Sequence, residues 1–199
     1  MAKQEERRAA TRALIMDAAE KLFGAAGFDQ TSIDDIALEA GVAKGAVYHH
    51  FKNKRDLFEA VFEIVSARLA LALASEVSPG DDMVETLLTA MRSFFHLCAT
   101  PETLRILLQD GPKVLGHAEW RRLDARHFGG LVTSALGLAM ETGAIGRQPL
   151  EPLSHIMLAA IQAAAVDCAG QEDFDAAANR YLATFRSLLV GLGANRHPG

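Results

Sequence analysis

The sequence predicts an all-α protein of about nine helices, and three features of composition and patterning support that class. Alanine (35) and leucine (25) occupy 60 of the 199 positions, whereas aromatic residues make up only 7%. Strands are rich in β-branched and aromatic residues, so this balance favours helices nearly throughout. Apolar residues also recur with the helical period along most of the chain. Their share, 50%, is enough at this length to bury a sizeable core and excludes intrinsic disorder.

The N-terminal part of the chain predicts four helices with recognisable starts and stops. Gly27 and Gly41 end the first and the second, since glycine readily adopts the left-handed conformation that often follows a helix. Thr31-Ser32 gives the second helix a polar cap at its start, and Asn53 can cap the fourth. The predicted ranges are 7–26, 32–40, 42–51 and 54–76.

Five more helices are predicted after the clearest compositional break in the chain, Ser78-Pro79-Gly80. Glycine and proline separate these segments as well. One interruption, at residues 110–117 between the sixth and seventh helices, contains Gly111-Pro112. The predicted ranges are 81–99, 101–110, 118–142, 151–170 and 174–192.

Cysteine, histidine and hydropathy patterns argue against several classes of protein. Cys98 and Cys168 lack a CxxC spacing, so buried thiols are favoured over a disulfide or zinc knuckle. His49 and His50 diverge by about 100° on a helix and are not expected to share a metal ion. The longest stretch without a formal charge, residues 152–166, is shorter than the roughly 20 apolar residues that span a bilayer. Without an apolar signal core, the sequence predicts a cytoplasmic protein with no membrane partner, metal or cofactor.

Positive charge is concentrated in one short segment, although the net charge of the chain is −5. Residues 40–55 carry four basic side chains and no carboxylate. Residues 57–199 carry 11 Lys or Arg and 16 Asp or Glu. A basic segment on an acidic body is the electrostatic footprint of a nucleic-acid contact, which the net charge alone conceals.

Residues 31–54 fit a helix-turn-helix, in which a tight turn at Gly41 joins two short helices. The second helix begins with small residues, so its N-terminal end can approach base edges, and Lys44 can reach a guanine edge or a phosphate. The hydroxyls of Thr31 and Ser32 can lie near phosphates at the start of the first helix. The further candidate contacts are Tyr48, His49, Lys52 and Lys54.

A longer pattern surrounds this motif. Its residues are Gly27-Phe28, Thr31-Ser32-Ile33-Asp34-Asp35-Ile36-Ala37, Ala40-Gly41-Val42-Ala43-Lys44-Gly45, Val47-Tyr48 and Phe51-Lys52-Asn53-Lys54-Arg55-Asp56-Leu57. Over about residues 10–65 the chain closely resembles the TetR family of transcriptional regulators. The remainder is similar to the family in its helical pattern and in the overall length, near 200 residues.

The resemblance implies a homodimeric, ligand-responsive, DNA-binding transcriptional regulator, typically a repressor, rather than an enzyme. Residues 1–54 would form an N-terminal three-helix DNA-binding domain, and residues 55–199 a larger helical ligand-binding and dimerisation domain. Members of the family typically bind a palindromic DNA operator as homodimers and release it when a small-molecule effector binds.

Carried over residue by residue, the resemblance implies contacts to bases and backbone from Lys44, Gly45, Ala46, Tyr48 and His49. It implies phosphate contacts from Thr31, Ser32, Lys52 and Lys54, with Tyr48 contacting phosphate through its hydroxyl. A further basic group near the N-terminus fits either a minor-groove arm or a mobile terminus. Its members are Lys3, Arg7, Arg8 and Arg12.

Large apolar side chains recur at helical spacing in the C-terminal body and fit either a core or an effector pocket. Their mixture of Met, Phe and Trp with few charges predicts a small, largely apolar or aromatic effector. The interruption at residues 110–117 lies where such regulators couple ligand to DNA and is a candidate gate. The candidate pocket residues are Met91, Phe94, Phe95, Leu107, Trp120, Phe128 and Met157.

The last two predicted helices are the least charged pair in the chain, and their apolar faces fit either a core or a subunit interface. By resemblance, they form a four-helix bundle with their copies in a second subunit, which would match a two-fold symmetric operator. The candidate dimerisation residues are Ala160, Ala164, Tyr181, Phe185, Leu188 and Leu189.

Two other classes of function remain as alternatives. A helical enzyme lacks support from any Ser-His-Asp ordering, glycine-rich phosphate loop, HExxH motif or paired carboxylates. A protein-interaction module would keep the same fold and use the helix-turn-helix to contact another protein. Binding to DNA separates both alternatives from a transcriptional regulator.

Overall fold

The computed structural model describes residues 2–76, 80 and 82–194. The described residues form nine helices and no strands, which confirms the predicted all-α class. Seven helices are regular throughout: α1 (Ala2–Ala26), α2 (Ile33–Glu39), α3 (Lys44–His50), α4 (Lys54–Glu76), α5 (Met83–Cys98), α8 (Leu150–Ala169) and α9 (Phe174–Ala194). The predicted break at Ser78-Pro79 lies outside the described residues.

The other two helices, α6 and α7, each contain a π-helical turn. Helix α6 consists of Pro101–Leu104, the π turn Arg105–Asp110 and Gly111–Leu115. Helix α7 consists of His117–Asp124, the π turn Ala125–Gly129 and Gly130–Glu141. Such turns are rare and are found frequently at functional sites.

The predicted interruption at residues 110–117 is wrong for most of its length. Pro112 lies in the segment Gly111–Leu115, directly after the π turn, and the helix continues past it. The helix ends instead at Gly116, which has a φ of 80°. Residues 110–115 are therefore part of α6.

The start of α2 and the start of α4 follow the sequence signals. The Ser32 hydroxyl accepts a hydrogen bond from the Asp35 amide at 3.1 Å, and the Ser32 amide donates to the Asp35 carboxylate at 3.0 Å. This reciprocal capping box satisfies two donors at the helix start. The Asn53 side chain accepts from the Asp56 amide at 2.8 Å, so Asn53 caps α4 as predicted.

The chain divides into two compact units. The first comprises Met1–Ser66 and Pro101–Arg121, so it contains α1 to α3, the beginning of α4 and all of α6. In it, α1 packs against α2, α3 and α6, and three aromatic rings form part of its core. The rings of Phe23, Phe28 and Phe58 lie 5.3–5.8 Å apart between centroids.

The second unit comprises Ala67–Thr100 and Arg122–Gly199. Helices α5, α7, α8 and α9 pack against one another in it. Helix α8 is long and apolar enough to cross a membrane by length and composition, but 44% of its most apolar window is buried inside the protein. Since α8 contacts α5, α7 and α9, its apolar character is that of a core helix in a bundle.

The predicted division of the chain at residues 54 and 55 does not coincide with these units. Residues 101–121 lie within the predicted ligand-binding part, residues 55–199, yet they pack in the same unit as the helix-turn-helix. The assignment of DNA binding to residues 1–54 and ligand binding to residues 55–199 stays a prediction.

Candidate functional site

Helix α3 presents one exposed face made by the residues predicted to contact DNA. Val47 is completely buried and anchors the helix, so the residues on the opposite side point to solvent. Tyr48 is 50% exposed. Lys44, Gly45 and His49 are exposed as well, and Ala46 is half-buried. A Cβ on Gly45 would meet no atom within 4 Å, so this glycine leaves an open surface rather than filling a tight contact.

The ammonium group of Lys44 forms an ion pair with Asp34 on α2. Its Nζ lies 2.8 Å from an Asp34 carboxylate oxygen, and both side chains are exposed. The hydrogen bond to Asp34 and the attraction between the two charges raise the pKa of Lys44. An exposed ion pair of this kind contributes little to stability, so the ammonium group is available to a stronger anion such as a phosphate.

Two residues predicted to contact phosphate have internal roles instead. Thr31 is buried, with 3% of its surface exposed, and its hydroxyl donates to the Gly27 carbonyl at 2.8 Å. The Lys54 ammonium donates to the carbonyl oxygens of Phe28 at 2.8 Å and Thr31 at 2.9 Å. It also lies 4.1 Å from the centroid of the Phe28 ring, within cation–π range. Both side chains therefore hold the turn between α1 and α2.

The other two predicted phosphate contacts are accessible. Ser32 is exposed, although its hydroxyl is engaged in the capping box, where it donates to Asp35 at 2.6 Å. Lys52 is exposed, and its backbone amide donates to Asp56 at 3.0 Å. The ammonium group of Lys52 is thus placed at the end of α3 without taking part in that contact.

The basic residues near the N-terminus belong to a helix, because α1 begins at Ala2 rather than at residue 7. The Arg12 guanidinium lies 5.2 Å from the centroid of the Phe51 ring. Burial lowers the pKa of His50, and the nearby charges of His49, Arg8 and Arg12 lower it further. The first half of α1 therefore places Arg8 and Arg12 beside the end of α3, while the side chain of Lys3 lies outside the described residues.

Helix α6 holds the C-terminal end of α1 through two side chains that the sequence did not single out as a pair. The Arg105 guanidinium donates to the carbonyl oxygens of Gly24, at 2.6 Å, and Ala25. The Asp110 carboxylate accepts a hydrogen bond from the Phe28 amide at 2.8 Å. Arg105 and Asp110 lie at the two ends of the π turn, whose i to i+5 hydrogen bonds bring residues five apart to one face. Residues five apart do not share a face of a regular α-helix, so the sequence alone did not indicate that Arg105 and Asp110 lie on one side of α6.

The end of α6 is bound to α4 in the same unit. Arg55 donates to the carbonyl oxygens of Val114 at 3.1 Å and Leu115 at 3.0 Å, which satisfies acceptors that a helix terminus leaves open. The indole Nε1 of Trp120 donates to the Leu107 carbonyl at 2.9 Å. Trp120 and Leu107 thus stabilise the first unit.

The second unit contains a cavity of about 370 Å³, a size that suits a small ligand. Four of the seven predicted pocket residues line it: Met91, Phe94, Phe128 and Met157. The other three do not, since Phe95 is buried elsewhere in the core and Leu107 and Trp120 belong to the first unit. Apolar side chains also make up most of the remaining wall, including Leu73, Met83, Leu87, Leu131, Leu158 and Ile161.

The polar side chains in the cavity wall are Thr86 and Ser134. The hydroxyl of Thr86 donates to the Asp82 carbonyl at 3.0 Å and accepts from the Gly80 amide at 3.1 Å. Because this hydroxyl is engaged at the start of α5, it adds little polarity to the cavity. The wall therefore suits an apolar molecule.

Half of the predicted dimerisation residues are core residues of the chain itself. Ala164, Phe185 and Leu189 are buried within the second unit and cannot also line a subunit interface. Ala160 and Tyr181 are half-buried, and the Tyr181 hydroxyl donates to Asp167 at 2.9 Å. Leu188 is 54% exposed. The sequence pattern located two apolar helices but not the side of each that faces the core.

Exposed apolar side chains of α8 and α9 form a second set, which shares Leu188 with the predicted one. It includes Ile156, Ala159, Ala163 and Val166 on α8, and Ala183, Leu188 and Val190 on α9. The four α8 residues follow the i, i+3, i+7 and i+10 spacing of one helix face. We call these four residues and Leu188 the apolar face of α8 and α9.

Two family models match the chain. The model for bacterial regulatory proteins of the tetR family matches residues 15–61. The model for the tetracyclin repressor-like C-terminal domain matches residues 84–192. The first match contains the helix-turn-helix, and the second contains most of the residues that line the cavity and most of the helices of the second unit.

Individual relatives agree with the two models. The HTH-type transcriptional regulator AcrR of Shigella flexneri is 34% identical over 100 residues, which are 50% of this chain and 46% of that regulator. An HTH-type transcriptional repressor of Mycobacterium tuberculosis is 30% identical over 115 residues, which are 58% of this chain and 60% of that repressor. The chain thus spans about half the length of these curated relatives.

The fold agrees as well. The crystal structure of a TetR-family transcriptional regulator from Pectobacterium atrosepticum matches with a TM-score of 0.79 at 28% identity, covering 94% of this chain and 96% of that one. The matched families and relatives are regulators rather than enzymes. Since the C-terminal model alone covers more than half of the sequence, the chain belongs to the TetR family of DNA-binding transcriptional regulators.

Proposed function

We propose that the protein is a cytoplasmic homodimeric repressor that binds a palindromic operator and is released from it by a small, largely apolar effector. The exposed face of α3 carries this proposal, because it combines a small glycine, a lysine, a tyrosine and a histidine on a helix anchored by buried Val47. Membership of a family of transcriptional regulators supports the class of function. The M. tuberculosis relative, which is a repressor, supports the direction of regulation.

The DNA contact is proposed for the accessible residues of the predicted set. Lys44, Gly45, Tyr48 and His49 would approach base edges and backbone, and Ala46 would allow close approach at the start of the helix. Lys52 would bind a phosphate at the end of α3, and Ser32 would lie at the start of α2. Thr31 and Lys54 are not included among the proposed DNA contacts, because their side chains form hydrogen bonds within the turn between α1 and α2.

The homodimer is proposed to form through the apolar face of α8 and α9. Ile156 is 64% exposed and lies on the same helix face as three other exposed apolar residues. A contiguous exposed apolar patch of this kind is typical of a protein–protein interface. Small residues such as Ala159 and Ala163 allow a second helix to approach closely. A two-fold axis at this face would pair two recognition helices with half-sites about 34–36 Å apart.

The effector is proposed to bind in the cavity of the second unit, and α6 is proposed to pass its effect to the DNA-binding helices. The chain enters α6 from the second unit after Thr100 and returns to it at Arg122. Between these points, Arg105, Asp110 and Arg55 tie α6 to α1 and α4. An effector that favours another position of α5 or α7 would move α6 and with it the end of α1.

A mobility-shift assay tests this proposal. Duplexes that tile the intergenic DNA upstream of the gene are titrated with the protein, and the mass of each complex is measured by light scattering. We expect one duplex to shift at concentrations at which the others do not, with two chains per operator. Failure of every duplex to bind more tightly than unrelated DNA of the same length would contradict the proposal and favour a protein-interaction module on the same fold.

A further inference from the structure

The wall of the cavity in the second unit is built by α4, α5, α7 and α8, and it extends along these helices. On α5 the lining residues run from Met83 to Phe94, and on α7 they run from Phe128 to Leu138. Eleven residues of a helix rise by about 16 Å, so the cavity is elongated along α5. The rings of Phe94 and Phe128 contact each other at one end of these runs, with centroids 5.8 Å apart.

The volume of the cavity limits the size of the molecule that it can enclose. An apolar cavity of about 150 Å³ holds benzene, which has six carbon atoms. At about 370 Å³, this cavity has room for on the order of 10–15 non-hydrogen atoms. A molecule of that size would be enclosed from end to end, together with any polar group that it carries.

The described residues of the wall offer no charged partner to such a group. Sixteen of these eighteen residues are apolar, and the other two are Thr86 and Ser134. The Thr86 hydroxyl is engaged at the start of α5, and Ser134 is exposed. Residues 77–81, which lie between α4 and α5 in sequence, contain no Lys, Arg or His. A carboxylate or an ammonium group enclosed here would therefore lose its hydration without gaining a partner of opposite charge.

Titratable side chains lie beside wall residues on each of the four helices, but none of those that the structure describes belongs to the wall. Asp124, one turn before Phe128, is buried, and its burial raises its pKa to about 7. His127 is half-buried, with its ring centroid 6.4 Å from that of Phe128. Since both groups belong to the protein, their ionisation affects a neutral and a charged ligand alike. The exposed members are Glu76, Asp82, Glu85, Arg92, Arg126, Glu141 and His155.

We infer that the effector is a neutral molecule of about 10–15 non-hydrogen atoms, and that the cavity takes up a weak acid or an amine only in its uncharged form. The inference rests on the proposed effector role of the cavity. A neutral hydroxyl group is far less costly to remove from water than a charged group, so alcohols and phenols belong to this class and ionised carboxylic acids do not. Met83, Met91 and Met157 line the cavity, and their flexible side chains adapt to different outlines. Charge therefore separates ligands from non-ligands more sharply than shape does.

Three probes with one phenylbutyl skeleton test this inference: 4-phenylbutan-1-ol, 4-phenylbutanoic acid and 4-phenylbutylamine. Their binding to the full chain is measured by titration calorimetry at about pH 6.5 and pH 8, and the alcohol reports any change in the protein itself. We expect the affinity for the alcohol to change by less than about threefold between the two pH values.

The acid should bind about thirtyfold more tightly at the lower pH relative to the alcohol. Its carboxyl group has a pKa of about 4–5, so its neutral fraction grows roughly tenfold for each unit by which the pH falls. The amine, with a pKa of about 10, stays charged at both pH values and should bind at least about tenfold more weakly than the alcohol.

Two variants of α5 locate the binding of the alcohol. Ala90 lines the cavity, and Ala90→Phe would fill part of it. Thr89→Phe is the matched control, because Thr89 is the exposed neighbour of Ala90 and lies outside the wall. We expect Ala90→Phe to weaken binding of the alcohol by at least about tenfold and Thr89→Phe to leave it unchanged. The comparison of the three probes uses the wild type and does not depend on either variant.

An acid or amine that binds as tightly as the alcohol at both pH values would overturn the inference while leaving an apolar effector cavity in place. If the alcohol does not bind, or binds a folded Ala90→Phe variant as tightly as the wild type, the effector role of the cavity fails and the inference with it. Operator binding without a ligand tests the DNA-binding proposal separately.

Discussion

The Asp110 carboxylate accepts a hydrogen bond from the backbone amide of Phe28 at 2.8 Å, which joins the π turn of α6 to the turn that follows α1. Gly27, immediately before Phe28, has a φ of 85° and ends α1. A Cβ on Gly27 would lie 3.2 Å from the same carboxylate oxygen, so the close approach and the backbone conformation both favour glycine there. The turn that leads into the helix-turn-helix is therefore in direct contact with α6.

Asp110→Ala should destabilise the protein and weaken the link between effector and operator. The substitution leaves the partly buried Phe28 amide without its acceptor, which costs about 1–2 kcal/mol. Denaturant unfolding measures this loss. The exposed Asp29 provides a control nearby, since Asp29→Ala removes a carboxylate from the same turn region without removing that acceptor. Equal stability of the two variants would contradict the assigned role of Asp110.

Two lysines separated by one residue should respond differently to the same substitution. Lys54→Met removes an ammonium group that bonds two carbonyl oxygens and contacts the Phe28 ring, and it should lower the free energy of unfolding by about 1–3 kcal/mol. Lys52→Met should leave stability unchanged and weaken DNA binding, with a salt dependence reduced by about one ion. Thermal unfolding and operator titrations at several salt concentrations distinguish the two. A stable Lys54→Met variant with a reduced salt dependence would restore Lys54 as a phosphate contact.

The stability of the wild type should fall relative to Asp124→Asn as pH rises. Burial raises the pKa of Asp124 from 3.8 to about 7, so the folded state binds the proton more tightly than the unfolded state. The cost of ionisation is absent below pH 4, grows between about pH 4 and 7, and is complete above pH 7, where it reaches about 4 kcal/mol. Asparagine stays neutral and avoids this cost. Unfolding curves at pH 5 and pH 8 measure the difference, and an Asp124→Asn variant with no gain at pH 8 would be inconsistent with the buried carboxyl group.

Ile156→Glu should convert the protein from a dimer to a monomer. A carboxylate at residue 156 would place a charge on the apolar face of α8 and α9, which the proposed dimer buries. Leu71→Glu is the matched control, because Leu71 on α4 is 73% exposed and lies outside that face. Light scattering during gel filtration measures the mass of each variant. A dimer that survives Ile156→Glu would place the interface elsewhere.

Local signals in the sequence predicted the helices well. Gly27, Gly41 and Asn53 act where the pattern located them, because capping depends on residues a few positions apart. Pro112 was misjudged as a break, since the π turn before it has no sequence signature. The continuous helix follows from that turn.

The functional residues were harder to assign where tertiary packing decides their role. Lys54 carries the charge of a phosphate anchor, but the carbonyl oxygens that occupy it come from a turn more than twenty residues earlier. Trp120 and Leu107 are large apolar side chains of the kind that line ligand pockets, yet they pack in the first unit with α6. Phe185 and Leu189 lie on the side of α9 that is buried in the core, whereas Leu188 lies on the exposed side. Helical periodicity identifies an apolar side of a helix but not its partner.

The most direct test of the account is the affinity of Lys44→Ala for the operator duplex, measured by fluorescence anisotropy between about 50 and 200 mM salt. Lys113→Ala is its matched control, because Lys113 is an exposed lysine of the same unit on α6. We predict that wild type and Lys113→Ala bind the operator equally and weaken steeply with salt. Lys44→Ala should bind at least tenfold more weakly, with an unchanged unfolding curve. Operator affinity of Lys44→Ala equal to that of the wild type at every salt concentration would contradict the assignment of α3 as the DNA-reading helix.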